Sequence, residues 1–286
     1  MEKIKNQIIK RKHKKPILVD TFFNKTNKPK PIVIFCHGYK GFKDWGAWDL
    51  VAKKFAEKGF FFIKFNFSHN GGTIEQPIDF PDLEAFGNNN YMKELDDLEI
   101  VINWISDNNT YKHETNLNNI SLIGHSRGGG ITIIKAEEDS RIKQVISLAS
   151  VSDYKTRFLA GEAFKTWKTK NVFFVKNGRT KQNMPHYFQF FENFVANENR
   201  LTIKRAVSNL KIPHLIIHGN KDTSVLIAEA DILKQWNTSS QLEIIENADH
   251  VFETSHPWKD KNLSSSMQKA VNIMLLFLSK TLKKES

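Results

Sequence analysis

The stretch Ile120-Ser121-Leu122-Ile123-Gly124-His125-Ser126-Arg127-Gly128-Gly129-Gly130 constrains this chain more than any other. An apolar run that reads as a buried strand enters a Gly-x-Ser-x-Gly turn, and a helical pattern from about Gly128 to Glu138 leaves it. So tight a turn between strand and helix has no room for a side chain at Gly124 or Gly128. It also holds Ser126 in a strained conformation, with its hydroxyl exposed at the carboxyl edge of a sheet. By itself the pattern arises by chance in about one in ten chains of this length, so its weight comes from what surrounds it.

Short β-branched and aromatic runs alternate with amphipathic helical stretches along most of the chain, the pattern of an α/β fold with a mostly parallel sheet and helices on both faces. Strands are expected at Pro31 to Cys36, Phe60 to Phe65, Asn119 to Ile123, Gln144 to Ala149, Pro213 to His218 and Gln241 to Glu246. Helices are expected around Trp48, Val51 and Phe55 (closed by Gly59), from Met92 to Ser106, from Ser224 to Trp236 and from Ser265 to Leu282. Between 151 and about 211 the alternation lapses and aromatics crowd in, among them Phe158, Phe164, Trp167, Phe173, Phe174, Phe190 and Phe194. Structureless connections of that length are rare in compact domains, so the segment reads as a small helical lid inserted in a single domain spanning 1–286. An exposed aromatic patch on it would equally serve as a homodimer surface.

Composition removes several classes. Cys36 is the one cysteine, which excludes a disulfide framework and multi-thiolate metal sites. The nearest candidate for a span, Val271 to Leu278, is amphipathic in context and too short to cross a bilayer, and Ile8-Ile9 before the basic residues 10–15 is no secretory signal, so a cytoplasmic protein without a membrane partner is expected. Lys10-Arg11-Lys12-His13-Lys14-Lys15 sits between two apolar-rich segments with no interleaved aromatics, as a solvated hairpin turn would. The net charge of +11 therefore speaks to solubility, and no nucleic-acid partner is expected.

A serine hydroxyl is a weak nucleophile at neutral pH and needs a histidine to take its proton and a carboxylate to orient that histidine. Asp222 follows the run Leu215 to His218 through Gly219-Asn220-Lys221, at the same sheet edge as Ser126, and His250 lies in the loop after Leu242 to Ile245. An anion site for the tetrahedral intermediate would use the N–H of Arg127, directly after the serine, and the N–H of Tyr39 in the loop His37-Gly38-Tyr39-Lys40-Gly41.

Together, HGYKG at 37–41, GHSRGG at 124–129, HGNKD at 218–222 and ADHVF at 248–252 resemble the serine α/β-hydrolase superfamily. Within it the chain is most similar to the dienelactone-hydrolase-like and cinnamoyl-esterase-like branch. The resemblance spans nearly the whole chain and is weakest from 151 to 211. It implies Ser126 as nucleophile, His250 as general base and acid, Asp222 as orienting carboxylate, and the amides of Tyr39 and Arg127 as oxyanion donors. It also implies a cofactor-free esterase for small to medium esters. Dienelactone hydrolases proper carry cysteine where this chain has Ser126, which favours ordinary esters over lactones.

Competing readings attach to several of these residues. Asp222 has a second role open to it as a helix N-terminal cap, Asp249 is a rival carboxylate, and His256 and His69 are rival bases. His37 is expected to bond its own loop and His125 to pack beside the turn. No His-x-x-x-His or His-Glu-x-x-His spacing occurs, so no metal site is expected. Two alternatives keep the fold: an aminopeptidase or acyl-peptide hydrolase using Glu162, Glu192 or Glu198 for a substrate ammonium, and a catalytically silent binding protein.

Overall fold

The computed structural model describes residues 1–12 and 14–282. In chain order the elements begin with β1 (Glu2–Ile9), β2 (Ile17–Phe23), β3 (Lys30–Cys36), α1 (Trp48–Glu57), β4 (Phe61–Asn66), α2 (Leu83–Gly87), α3 (Tyr91–Asp107), β5 (Thr115–His125), α4 (Arg127–Glu138) and β6 (Ile142–Leu148). They continue with α5 (Gly161–Lys170), β7 (Val172–Lys176), β8 (Asn183–Tyr187), α6 (Gln189–Ala196), α7 (Glu198–Leu201) and α8 (Ile203–Asn209). The chain then adds β9 (His214–Gly219), α9 (Ile227–Trp236), β10 (Gln241–Ile245) and α10 (Ser265–Leu282).

Eight strands form one sheet in the order β1-β2-β4-β3-β5-β6-β9-β10. The contacts from β4 through to β10 are parallel, and β1 and β2 add an antiparallel edge. Strand alternation distributes the core to two faces: Ile32, Ile34, Phe61, Ile63, Ile120 and Leu122 pack under α3 and α4, and Val33, Phe35, Phe62 and Ile123 pack under α1 and α10. Parallel order aligns the carboxyl ends of β3, β5, β6, β9 and β10 along one edge, where ligands of open α/β sheets bind.

Expected and observed boundaries differ by a few residues, and the shift at α9 has a clear cause. The helix starts at Ile227 instead of Ser224 because the Asp222 carboxylate accepts the N–H groups of Ser224 and Val225 at 2.8 and 2.9 Å, holding those residues in a turn. The segment from 151 to 211 contains helices α5 to α8 and also the antiparallel hairpin β7–β8. The run Val172-Phe173-Phe174-Val175 has the β-branched and aromatic composition of a strand, and the Asn177 side chain caps the turn by accepting from Arg179 and Thr180 N–H.

In the basic turn after β1, Lys10, Lys12, Lys14 and Lys15 are exposed as a solvated turn would have them, whereas Arg11 is drawn inward. The Arg11 guanidinium reaches the buried carboxylate of Asp97 at 2.8 Å, and Lys15 pairs with Asp82 at 2.5 Å. His13 of that run lies outside the described residues. At the other end of the same strand, β1 shifts register between Ile4 and Gln7, with Asn6 at φ 54° donating its N–H to Asp20 Oδ1 at 2.8 Å.

Asp20 in β2 faces Lys64 in β4 across the ladder, and both side chains are fully buried. The Lys64 ammonium lies 2.9 Å from Asp20, and the equally buried Lys43 also reaches it at 2.9 Å, with Asp44 and Asp49 completing the set. The three carboxylates come within metal-ligand spacing of one another, but the two ammonium groups occupy the space between them. Removing one partner of a buried pair leaves an uncompensated charge. Asp20→Ala is therefore expected to lower stability by about 3–5 kcal/mol in urea titrations, whereas a loss below about 1 kcal/mol would mean that water reaches the lysines.

Among the described residues no helix is long and apolar enough to cross a membrane.

Candidate active site

The turn between β5 and α4 has the strain its glycines suggest. Ser126 sits at φ 56°, ψ −121°, a region that non-glycine residues seldom adopt. A Cβ at Gly128 would stand 2.5 Å from the His37 carbonyl oxygen and 2.6 Å from that of Cys36, and one at Gly124 would press into the Gly128 carbonyl and the Thr132 hydroxyl. The Ser126 N–H donates to the Leu148 carbonyl at 2.9 Å, tying the turn to the end of β6.

Three of the residues singled out in the sequence meet here. His250 Nε2 lies 3.0 Å from Ser126 Oγ, and His250 Nδ1 lies 2.7 Å from Asp222 Oδ2. Asp222 performs both roles open to it, since Oδ1 caps the turn into α9 while Oδ2 faces the imidazole. Burial works to raise its carboxyl, but hydrogen bonds from His218, His250 and the Val225 N–H outweigh that and hold it well below the usual carboxylate range. A carboxylate that stays ionised fixes the imidazole with Nδ1 protonated and leaves Nε2 free to accept the serine proton.

The rival groups lie elsewhere. Asp249 is exposed and accepts the N–H groups of Val251 and Glu253. His256 accepts the Gly46 N–H and packs against Phe42 and Trp45, while His69 bonds the Ser68 hydroxyl. His37 bonds the Gly38 carbonyl in its own loop and accepts the Phe67 N–H, and burial lowers its pKa to about 4. His125 packs beside the turn, donating from Nε2 to the His250 carbonyl at 2.9 Å, so it anchors the loop that carries His250.

The loop after β3 closes in a turn in which Gly41 N–H donates to Gly38 C=O at 3.0 Å, with Tyr39 and Lys40 at the centre. The Tyr39 N–H has no hydrogen-bond acceptor among the described residues, and Arg127, as first residue of α4, has an N–H without an intrahelical partner. Both residues line the cavity above Ser126.

Side chains that sequence reasoning did not single out complete the walls. The Arg127 guanidinium lies over the rings of Tyr39, Tyr91 and Phe190 and reaches the buried Glu94 at 3.3 Å. The Tyr39 hydroxyl lies 2.8 Å from Nε2 of His186 on β8, so the loop after β3 is bonded directly to the hairpin. The segment Asp82 to Tyr91 supplies α2, the Asn90 cap of α3 and the Tyr91 ring on the cavity wall.

Two cavities flank Ser126 and His250. The larger, about 530 Å³, is walled by Tyr91, Phe158, Trp167, Phe173, His186 and Phe190. The smaller, about 270 Å³, lies against Trp45, Trp48 and Asn177. Most of the aromatic residues on the larger wall come from the segment between β6 and β9.

A strained serine between strand and helix, bonded to a histidine in the loop after β10 that is bonded in turn to a carboxylate in the loop after β9, defines the class. The chain belongs to the α/β-hydrolase family, whose model matches residues 31–174. It is 23% identical over 270 residues to monoacylglycerol lipase ABHD6 of Rattus norvegicus, covering 82% of this chain and 74% of that protein. In fold it is similar to Est1E from Butyrivibrio proteoclasticus (TM-score 0.68, 15% identity, 97% of this chain and 98% of that one). It is likewise similar to dienelactone hydrolase from Anabaena variabilis (TM-score 0.60, 15% identity, 98% and 96%).

Proposed function

We propose that this protein is a serine hydrolase that cleaves carboxylic esters of small to medium acyl or aromatic acids through an acyl-enzyme. The observation that carries the reading is the continuous relay from Asp222 through His250 to Ser126, at 2.7 and 3.0 Å, beneath a 530 Å³ aromatic cavity. The likeness in fold to Est1E and the weak sequence likeness to a monoacylglycerol lipase support it.

In this mechanism Ser126 Oγ attacks the ester carbon as His250 Nε2 takes its proton, and the N–H groups of Tyr39 and Arg127 receive the oxyanion. Collapse breaks the bond to the alcohol oxygen, which takes the proton from Nε2. Water, deprotonated by the same imidazole, then releases the acid and restores Ser126. The segment 151–211 acts as the cap that shapes the acyl pocket.

An aminopeptidase would need an acidic group for the substrate ammonium. No carboxylate lines either cavity among the described residues, and Glu162 and Glu198 are instead paired with Lys165 and Lys155. The ester reading is tested with p-nitrophenyl esters from acetate to decanoate, alongside an amide analogue and a fluorophosphonate label. One label per chain and a kcat/KM maximum between butyrate and octanoate are expected for a cavity of this size. A folded protein that neither labels nor turns over would be the catalytically silent binding protein.

A further inference from the structure

Both cavities beside Ser126 are positively charged, and their cations differ in how they are satisfied. The larger is lined by Lys40, Arg127 and Arg157, the smaller by Lys40 and Arg179, and neither by an aspartate or glutamate among the described residues. Arg127 is neutralised by Glu94, Arg157 by Glu229 and Arg179 by Asp79. Lys40 has no carboxylate partner among the described residues. Its ammonium lies 4.9 Å over the Tyr39 ring, half-buried, at the junction of the two cavities and one residue from the Tyr39 N–H.

The backbone reinforces the point. Lys40 stands at φ 54°, where glycine is the unstrained choice. A lysine there brings strain and partial desolvation with only the Tyr39 ring and no carboxylate to offset them, and burial lowers its pKa accordingly. A bound anion would supply the missing interaction.

We propose that Lys40 is the receptor for a carboxylate on the substrate, so that the preferred substrates are esters carrying one anionic group within a few bonds of the scissile carbonyl. The inference rests on the ester-hydrolase reading of the same site and names its substrate class. One unpaired ammonium among aromatic walls suits a single negative charge, whereas a phosphate dianion would call for more than one free cation. Because Lys40 borders both cavities, the carboxylate can sit on the acyl or the alcohol side.

The test uses two pairs of esters of matched shape, followed by acid release in a pH-stat: monoethyl adipate against ethyl 6-methylheptanoate, and 4-acetoxybutanoate against 4-methylpentyl acetate. In the wild type, kcat/KM for the anionic member of at least one pair should exceed that of its neutral partner by tenfold or more. That ratio should shrink as sodium chloride rises from 50 to 500 mM, as expected for partly exposed charges. Lys40→Met should lower the ratio by about tenfold to a hundredfold and Lys40→Arg should retain most of it, the size expected for one charge-assisted contact.

A wild-type ratio at or below one in both pairs, or a ratio insensitive to Lys40→Met, overturns the inference while leaving the esterase reading intact. Turnover of neither member of either pair, together with no turnover of the aryl esters, overturns the esterase reading itself. Should Lys40→Met fail to fold, the wild-type ratio and its salt dependence still decide.

Discussion

Ser126→Ala is expected to lower kcat/KM for p-nitrophenyl butyrate by at least about 10⁴-fold and to abolish fluorophosphonate labelling. The fold should be unaffected, since the hydroxyl's one side-chain partner is His250 and alanine can be held at the same backbone angles by the surrounding turn. Asp222→Asn should cost about as much in rate, for a different reason. Asparagine can keep the cap to Ser224 and Val225 with its carbonyl oxygen, but its amide then presents N–H to His250 Nδ1 and favours the wrong tautomer. Parallel thermal melts separate lost chemistry from lost fold, and a Ser126→Ala protein retaining a tenth of wild-type rate would point to another nucleophile.

The second large effect is on stability, and it follows from histidines that the fold buries uncharged. Burial lowers His37 to about 4 and His125, His186 and His214 to about 3, from an ordinary 6.5. His214, for example, lies between the hydroxyls of Ser147 and Ser240. As pH falls below 6.5 the unfolded chain takes up protons at these four positions that the native state refuses, so the native state loses ground. Two carboxyls act in the opposite direction: burial raises Asp97 to about 6 and also raises Glu94, so the native state holds extra protons there. With His69 also lowered to about 4, the histidines outweigh the two carboxyls, so unfolding takes up protons and stability falls steadily between about pH 6 and 4. Urea midpoints measured from pH 7.5 down to 4.5 should show this slope, and His214→Asn should flatten it by about one proton. A midpoint that stays level from pH 6.5 to 5 would show that the histidines titrate freely in the native state.

What could be read from the sequence was what depends on neighbours along the chain. Gly124 and Gly128 bracket Ser126 within five residues, and the loops holding Asp222 and His250 follow directly on the runs 215–218 and 242–245. Parallel-sheet order then brings those three positions to one edge. The interactions that escaped join distant residues. Glu94 meets Arg127 across 33 positions and Tyr39 meets His186 across 147, and no local pattern encodes either pairing. One signal was present and unused: Asp20 within Ile17-Leu18-Val19-Asp20-Thr21-Phe22-Phe23 and Lys64 within Phe61-Phe62-Ile63-Lys64-Phe65 are charges inside apolar strands. A charge in such a run implies a buried partner of opposite sign. The β7–β8 hairpin was missed because aromatic content alone does not separate a strand from a buried helix.

The irregular pairing of β1 bears on how copies of this protein can meet. An outermost strand offers a row of unsatisfied amides and carbonyls, and with Ile4 and Ile8 partly exposed it would be a template for intermolecular sheet growth. Here the break at Ile4–Gln7 and the left-handed Asn6, whose N–H is turned inward to Asp20, interrupt that row at its middle. Lys3 and Lys5, held over the same edge by Asp49 and Asp44, set positive charge against an incoming like strand. The edge strand is thereby a poor template for fibre-like addition at high concentration.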